Sequence, residues 1–296
     1  MGGIEVNFLL FVTDFHRNGK LTKGINSTFF TLIPKVVSPQ RLNDFRPISL
    51  VRCMYKVLAK VLSNRLRAVI GDVVSESQSV FVKGKQILDG ILVANEAVDK
   101  ARRFNKEMPL FKVDFEKTYD SVDLSYLAVV MSQMNFPTLW RKWISEYVGS
   151  AMAFDLVIGG PTEEFPLERG LRQGDHLSPF LFLLAAEGFN VQMRSLVAAG
   201  MYRDYYVGCI DGVSISHLQF TDDTLLFGEK SWANVQSMKA VLTIFEHVSG
   251  LKVNFHKIML TYINVSESWL NEAALLMNCR VGTLPFVYLG LPIAGY

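Results

Sequence analysis

Residues 217–227 read HLQFTDDTLLF, two apolar-rich arms joined by an adjacent pair of acids. Leu, Phe and Thr suit strands and Asp is a turn former, so the arms are expected to pair as a hairpin with Asp222 and Asp223 at its tip. Two carboxylates held side by side repel each other. Either the tip is a solvated turn, or it holds a hard divalent cation, which takes oxygen ligands from one or two carboxylates plus phosphate. The pair alone leaves both readings open.

A third acid narrows the choice. FKVDFEKTYDSVD (111–123) opens within an apolar strand expected over 110–115, and Asp114 stands near its end. A charge there is costly without a partner. If this strand lies beside the hairpin, Asp114, Asp222 and Asp223 meet at one edge of a sheet. Three acids so placed suit two divalent ions. Two ions suit in-line phosphoryl transfer, which needs mainly positioning and charge neutralisation.

The remaining pattern supplies the frame. Residues 54–70 carry apolar side chains at i, i+3, i+4 spacing, with Lys56, Lys60 and Arg67 on another face. Residues 124–149 read as helical, broken at Pro137, and 178–199 read as a long buried helix with Ser178 as N-cap and Pro179 in its first turn. Asp211-Gly212 signals a second hairpin between 207–210 and 213–220. This mixture implies an α+β fold, an antiparallel sheet with helices packed on one face.

Half of the 296 residues are apolar, and no repeat or low-complexity linker interrupts them, so one continuous domain with subdomains is expected after a lead-in over residues 1–28. The three cysteines, Cys53, Cys209 and Cys279, lie far apart, which excludes a CxxC zinc site or a disulfide framework. The longest apolar run, residues 180–186, is too short to span a bilayer, and the first residues lack the pattern of a signal peptide. Residues 1–100 hold fourteen Lys and Arg against eight Asp and Glu; the rest hold sixteen against twenty. That asymmetry fits either a grip on polyanions by the front and on cations by the back, or ordinary scatter of surface charge.

Eight blocks, in order, then narrow the reading: FFTLIPK (29–35), RLNDFRPISL (41–50), SESQSVFVKGKQILDG (75–90), FKVDFEKTYDSVD (111–123), GLRQGDHLSPFLF (170–182), HLQFTDDTLLFG (217–228), GLKVNFHK (250–257) and FVYLGLPI (286–293). Together they resemble the reverse transcriptase of plant non-long-terminal-repeat (LINE-type) retrotransposons. The resemblance implies a right-hand polymerase with fingers over about 29–105, palm over about 106–275, a primer-gripping hairpin over about 276–296, and a thumb largely absent. It implies an RNA-directed DNA polymerase that adds deoxynucleotides to a primer 3′-hydroxyl on an RNA template, with two Mg²⁺ ions that Mn²⁺ can replace. The metals would sit on Asp114 and Asp222, with Asp223 as a third acid and the carbonyl of Phe115 as a further ligand.

The same resemblance assigns Tyr119 to the sugar of the incoming nucleotide, where a ring excludes a 2′-hydroxyl. It assigns Gln173 and Gly174 to the nucleotide pocket, Arg46 and Lys35 to the triphosphate, Lys83 and Lys85 to the template backbone, and Lys257 to protonation of the leaving pyrophosphate. Asp120 reads as a surface carboxylate, and Arg172 with Asp175 as no more than a surface pair. RNA, primer and deoxynucleotides are the implied partners, no membrane is implied, and the implied location is nucleus or cytoplasm. Oligomeric state has no signal.

Three positions depart from the family pattern: Thr118 and Thr221 stand where Ala is usual, and His176 where Pro is usual. They keep a second reading open, a catalytically decayed retroelement remnant that at most binds nucleic acid.

Overall fold

The computed structural model describes residues 2–75, 77–78, 84, 86–154, 156–157, 160–207, 212–221 and 223–295. Asp222, Lys83, Lys85 and Asp211 lie outside the described residues. The chain packs as two compact units, Met1–Ile70 with Tyr119–Ala185, and Gly71–Thr118 with Ala186–Tyr296.

In the first unit the strand Ser27–Pro34 pairs antiparallel with Phe45–Val51, Ile33 opposite Arg46. Its other edge runs parallel to Met152–Phe154, which pairs with Phe165–Pro166. The expected amphipathic helix spans Cys53–Val73 and buries Tyr55, Leu58, Leu62, Leu66 and Ile70, each apolar side chain contributing roughly 1.5–3 kcal/mol. Lys56, Lys60 and Arg67 stay exposed. Pro137 separates Leu124–Gln133 from Thr138–Gly149, as its missing N–H requires. Asp123 caps the first of these, accepting from the amides of Ser125 and Tyr126 at 2.9 Å each.

The second unit is built on one sheet. Met108–Glu116 lies between Asp223–Phe227 and Met259–Ile263, with His217–Phe220 and Arg280–Val281 beyond them, and Lys252–Val253 pairs with its last residues. Strand alternation divides the two faces. Phe115 meets Phe189 of the helix Ser178–Ala198 and Phe245 of the helix Trp232–Ser249, so these helices cover one face. On the other face Met108 and Leu110 pack against the helix Ile87–Arg103 and the hairpin Phe286–Tyr288/Leu291–Ile293. Ala94, Ala97 and Ala101 let that helix approach closely. Lys112 and Asp114 continue along this face beyond it.

Tyr205–Val207 pairs with Val213–Ile215, so the hairpin's first strand lies earlier than the expected 207–210, of which 208–210 are outside the described residues. A bend at Ser216 splits the strand expected over 213–220 into Val213–Ile215 and His217–Phe220. Among the described residues no helix is long and apolar enough to cross a membrane.

Candidate active site

The hairpin expected at the acid pair is present in the second unit. Phe220 is the partner of Asp223, so only Thr221 and Asp222 separate the strands. Thr221 has φ 51°, a left-handed conformation that crowds a β-branched side chain, and its hydroxyl donates to the carbonyl of Phe220 at 2.7 Å.

The strand after the turn pairs with Met108–Glu116 so that Asp223 and Asp114 are direct partners. Side chains of such a pair start about 5 Å apart, and like charges there destabilise the sheet. Two lysines answer them. Lys257 Nζ lies 3.5 Å from Asp114 Oδ2, and Lys112 Nζ lies 3.8 Å from Asp223 Oδ1. Lys112 also donates to the carbonyl of Val287 at 3.2 Å, and the Tyr288 hydroxyl lies 3.5 Å from the carbonyl of Asp223. The terminal hairpin thus rests on the strands that carry the acids. Burial pushes the Tyr288 phenol above its ordinary range.

Asn254 sets the position of Lys257. Its carboxamide oxygen accepts from the Lys257 amide at 3.1 Å, its own amide donates to the Asp114 carbonyl at 3.2 Å, and its Nδ2 donates to the Glu116 carboxylate. Sequence reasoning passed over Asn254. An Asn three residues before Lys257 is an N-cap spacing, and that was the available signal.

Opposed carboxylates are an oxygen donor set of the kind a hard divalent cation takes, and the two lysines balance their charge. Among the described residues no three His, Cys, Asp or Glu side chains gather for a metal; the third acid of the motif, Asp222, is outside them.

The first unit gathers a different set around residues 170–177. Gly170 has φ 83°, and a Cβ there would lie 2.6 Å from the carbonyl oxygen of Asp120, so only glycine fits. Its amide donates to the Val122 carbonyl at 2.8 Å, and the Leu171 amide to the Tyr119 carbonyl at 2.6 Å. Gln173 Nε2 donates to Asp120 Oδ1 at 3.0 Å, which gives Asp120 a partner the sequence did not suggest. The Gln173 carbonyl accepts from Ser49 at 3.1 Å, and Gly174, at φ 90°, lies against Ile48. Ser49, Ile48 and the exposed Arg46 share one strand. Tyr119 stacks on the buried Phe182, centroids 5.3 Å apart at 28°. The loop therefore ties the turn of Tyr119 to the strand of Arg46. Lys35 follows the adjoining strand, its amide donating to the Asp44 carbonyl at 2.7 Å.

Arg172 and Asp175 are a correction to the sequence reading. They are 7% and 6% exposed, not a surface pair. Asp175 accepts from the Tyr147 hydroxyl at 2.5 Å, the Tyr55 hydroxyl at 3.2 Å and the Leu177 amide at 3.0 Å. Arg172 lies over the Tyr55 ring, 4.5 Å from its centroid, and donates to the carbonyl of Asn26 at 3.1 Å. Side-chain partners 28 to 146 residues away leave no local signal. His176 is exposed and Thr118 buried.

Comparison with known proteins gives the family. The profile of the family "Reverse transcriptase (RNA-dependent DNA polymerase)" matches residues 33–293. The chain is 24% identical over 269 residues to the Transposon TX1 uncharacterized 149 kDa protein of Xenopus laevis, covering 87% of this chain and 20% of that protein. It is 26% identical over 243 residues to the Pol polyprotein of the retrotransposable element R2DM of Drosophila melanogaster, covering 81% and 22%. The chain thus spans about a fifth of these relatives. Among solved structures, telomerase from Candida tropicalis, determined in complex with a fragment of telomeric RNA, superposes with TM-score 0.61 at 11% identity, covering 98% of this chain and 47% of the telomerase. At that identity the likeness speaks for the fold. With the profile spanning nearly the whole length, the chain belongs to the reverse transcriptase (RNA-dependent DNA polymerase) family.

Proposed function

We propose that this chain is the polymerase portion of a non-long-terminal-repeat retrotransposon, of the plant type its motif blocks resemble. It would copy an RNA template by adding deoxynucleotides to a DNA primer, in the nucleus or cytoplasm. The observation that carries the reading is the opposition of Asp114 and Asp223 across two paired strands, each with a lysine at ion-pair distance. A purely structural sheet gains nothing from two acids placed so.

Asp114, Asp222 and Asp223 would hold two Mg²⁺ ions, with Mn²⁺ able to replace them. When bound, the ions supply charge stabilisation to the attacking and leaving oxygens. Lys257 is held by Asn254 within reach of this chemistry and can donate a proton to departing pyrophosphate. Arg46, by its fork of donors, binds the triphosphate. Gln173 and Gly174 orient the nucleotide, and Tyr119 excludes the 2′-hydroxyl. Fingers over about 29–105, palm over about 106–275 and a primer-gripping hairpin over about 276–296 belong to the same proposal.

Primer extension on poly(rA) with an oligo(dT) primer tests it, in Mg²⁺ and then Mn²⁺, with Asp222→Asn in parallel. The expected result is extension by the wild-type chain alone. A second reading, the decayed remnant, is favoured by the backbone strain at Thr221. A folded chain that binds template–primer yet extends nothing in either metal would establish it.

A further inference from the structure

We propose that Tyr55, Tyr147 and Asp175 form a buried clasp that positions the nucleotide loop, residues 170–177, and so sets how tightly this enzyme takes its deoxynucleotide. The proposal rests on the polymerase reading above. These residues are positioning residues, acting through the loop that carries Gln173 and Gly174.

The clasp begins with a carboxylate in an unlikely place. Asp175 is 6% exposed, and a carboxylate so buried needs its charge satisfied by hydrogen bonds. It receives three, from the Tyr147 hydroxyl, the Tyr55 hydroxyl and the Leu177 amide. The two phenols come from different helices, Cys53–Val73 and Thr138–Gly149, and their rings stack with centroids 4.5 Å apart at 19°. Both hydroxyls keep their protons firmly, because burial and the neighbouring carboxylate disfavour phenolate. Each is therefore a fixed donor aimed at Asp175. Arg172 closes the arrangement from the side, its guanidinium over the Tyr55 ring.

Asp175 is one residue from Gly174 and two from Gln173. The other bonds of this loop go to the carbonyls of Val122 and Tyr119, the amide of Ser49, Asn26 and the carboxylate of Asp120. These fix its edges. The clasp anchors it from beneath, at the residue after the one whose φ of 90° turns the chain. Loss of a phenol donor leaves a buried carboxylate short of one partner, and the loop is the element free to move in response. The consequence falls on nucleotide binding and not on the acids, which stand on other strands.

Tyr147→Phe and Tyr55→Phe remove one hydroxyl each and keep the stacked rings. Two measurements on the whole chain separate the outcomes. The first is hydrogen exchange of the amides at 170–177, which needs no activity. It should quicken by about tenfold in Tyr147→Phe, whose bond is the shorter, with other segments unchanged. The second is steady-state primer extension. KM for deoxynucleotide should rise about tenfold while kcat and template–primer affinity stay within about twofold. The double variant should exceed either single one. Unchanged loop exchange overturns the clasp, whatever the chain's activity. Faster loop exchange with an unmoved KM overturns its positioning role. A wild-type chain that extends no primer overturns the polymerase reading instead, and the clasp is then decided by exchange alone.

Discussion

Asp114 and Asp223 are direct partners across two antiparallel strands, each carboxylate facing a lysine at 3.5 and 3.8 Å respectively. The lysines offset the repulsion between the acids, a part that a bound cation can take over. Replacing Asp114 by Asn removes both the opposition to Asp223 and the pair with Lys257, so stability in metal-free buffer should change by less than about 1 kcal/mol while extension is abolished. Mg²⁺ should raise the Tm of the wild-type chain and not that of the variant. Equal metal-induced shifts in both would show that the ion binds elsewhere.

Thr221 holds φ 51° between the two strands. Gly or Asn tolerates that region better than a β-branched residue. Thr221→Gly should stabilise the chain by about 0.5–1 kcal/mol in urea denaturation, allowing for the greater freedom of Gly when unfolded. If the strain also slows catalysis, kcat rises in the same variant. A loss of stability would mean that the hydroxyl bond to Phe220 outweighs the strain.

Tyr119 lies on Phe182, and a sugar-excluding ring is only as firm as the surface behind it. Phe182→Leu should raise ribonucleotide incorporation relative to deoxynucleotide by several-fold, and Tyr119→Ala by much more. Competition assays with paired ribo- and deoxynucleoside triphosphates give the ratio. An unchanged ratio in Tyr119→Ala would remove this residue from sugar selection.

His217 opens the acidic hairpin and is buried against Phe189, with its Nδ1 2.9 Å from the Ser216 hydroxyl. Burial pushes it down to about 4 from an ordinary 6.5. Between those values the unfolded chain binds a proton that the native chain refuses. Stability therefore rises with pH through this window and is flat above it. Glu187, buried and raised, acts in the opposite sense, its contribution falling as pH rises through its folded value. The difference between wild type and His217→Gln isolates the histidine: relative to pH 7.5, the wild type should lose about 2 kcal/mol more at pH 5. Parallel pH profiles would count against a neutral buried imidazole.

Asn254→Ala removes the cap that fixes Lys257 and the bond to Glu116. The expected cost is about 1 kcal/mol of stability. On the proposed role of Lys257, extension should slow as well, because a misplaced lysine no longer reaches the leaving pyrophosphate. Asn254→Asp keeps the cap acceptor but sets a carboxylate against that of Glu116, so it should recover little of that stability. A rate unaffected by Asn254→Ala would confine this residue to folding.

What was legible in the sequence had a local period. Leu58, Leu62, Leu66 and Ile70 recur at helical spacing, and the arms around Asp222 and Asp223 have strand-like composition, so both elements lie where expected. Pairing of the Asp114 strand with the hairpin was a conditional inference, and the register brings Asp114 opposite Asp223. The supporting contacts were illegible for a physical reason. Asp175 meets Tyr55 and Tyr147 only because two helices converge on it, and Asp120 meets Gln173 only because Gly170 lets the backbones approach. Such meetings have no fixed spacing. Asn254 lay between these cases, since a capping interval was present in the motif and went unused.

The exclusion of every side chain at position 170 has a genetic consequence. Any first- or second-base change in a glycine codon installs a side chain or, in one case, a stop, while third-base changes are silent. At this position the side chain would meet the backbone of Asp120 at 2.6 Å. Codon 170 thus divides its mutations sharply into invisible and ruinous. Across sibling copies of such an element, silent changes alone at this codon would mark copies kept under selection, and replacements would date those released from it.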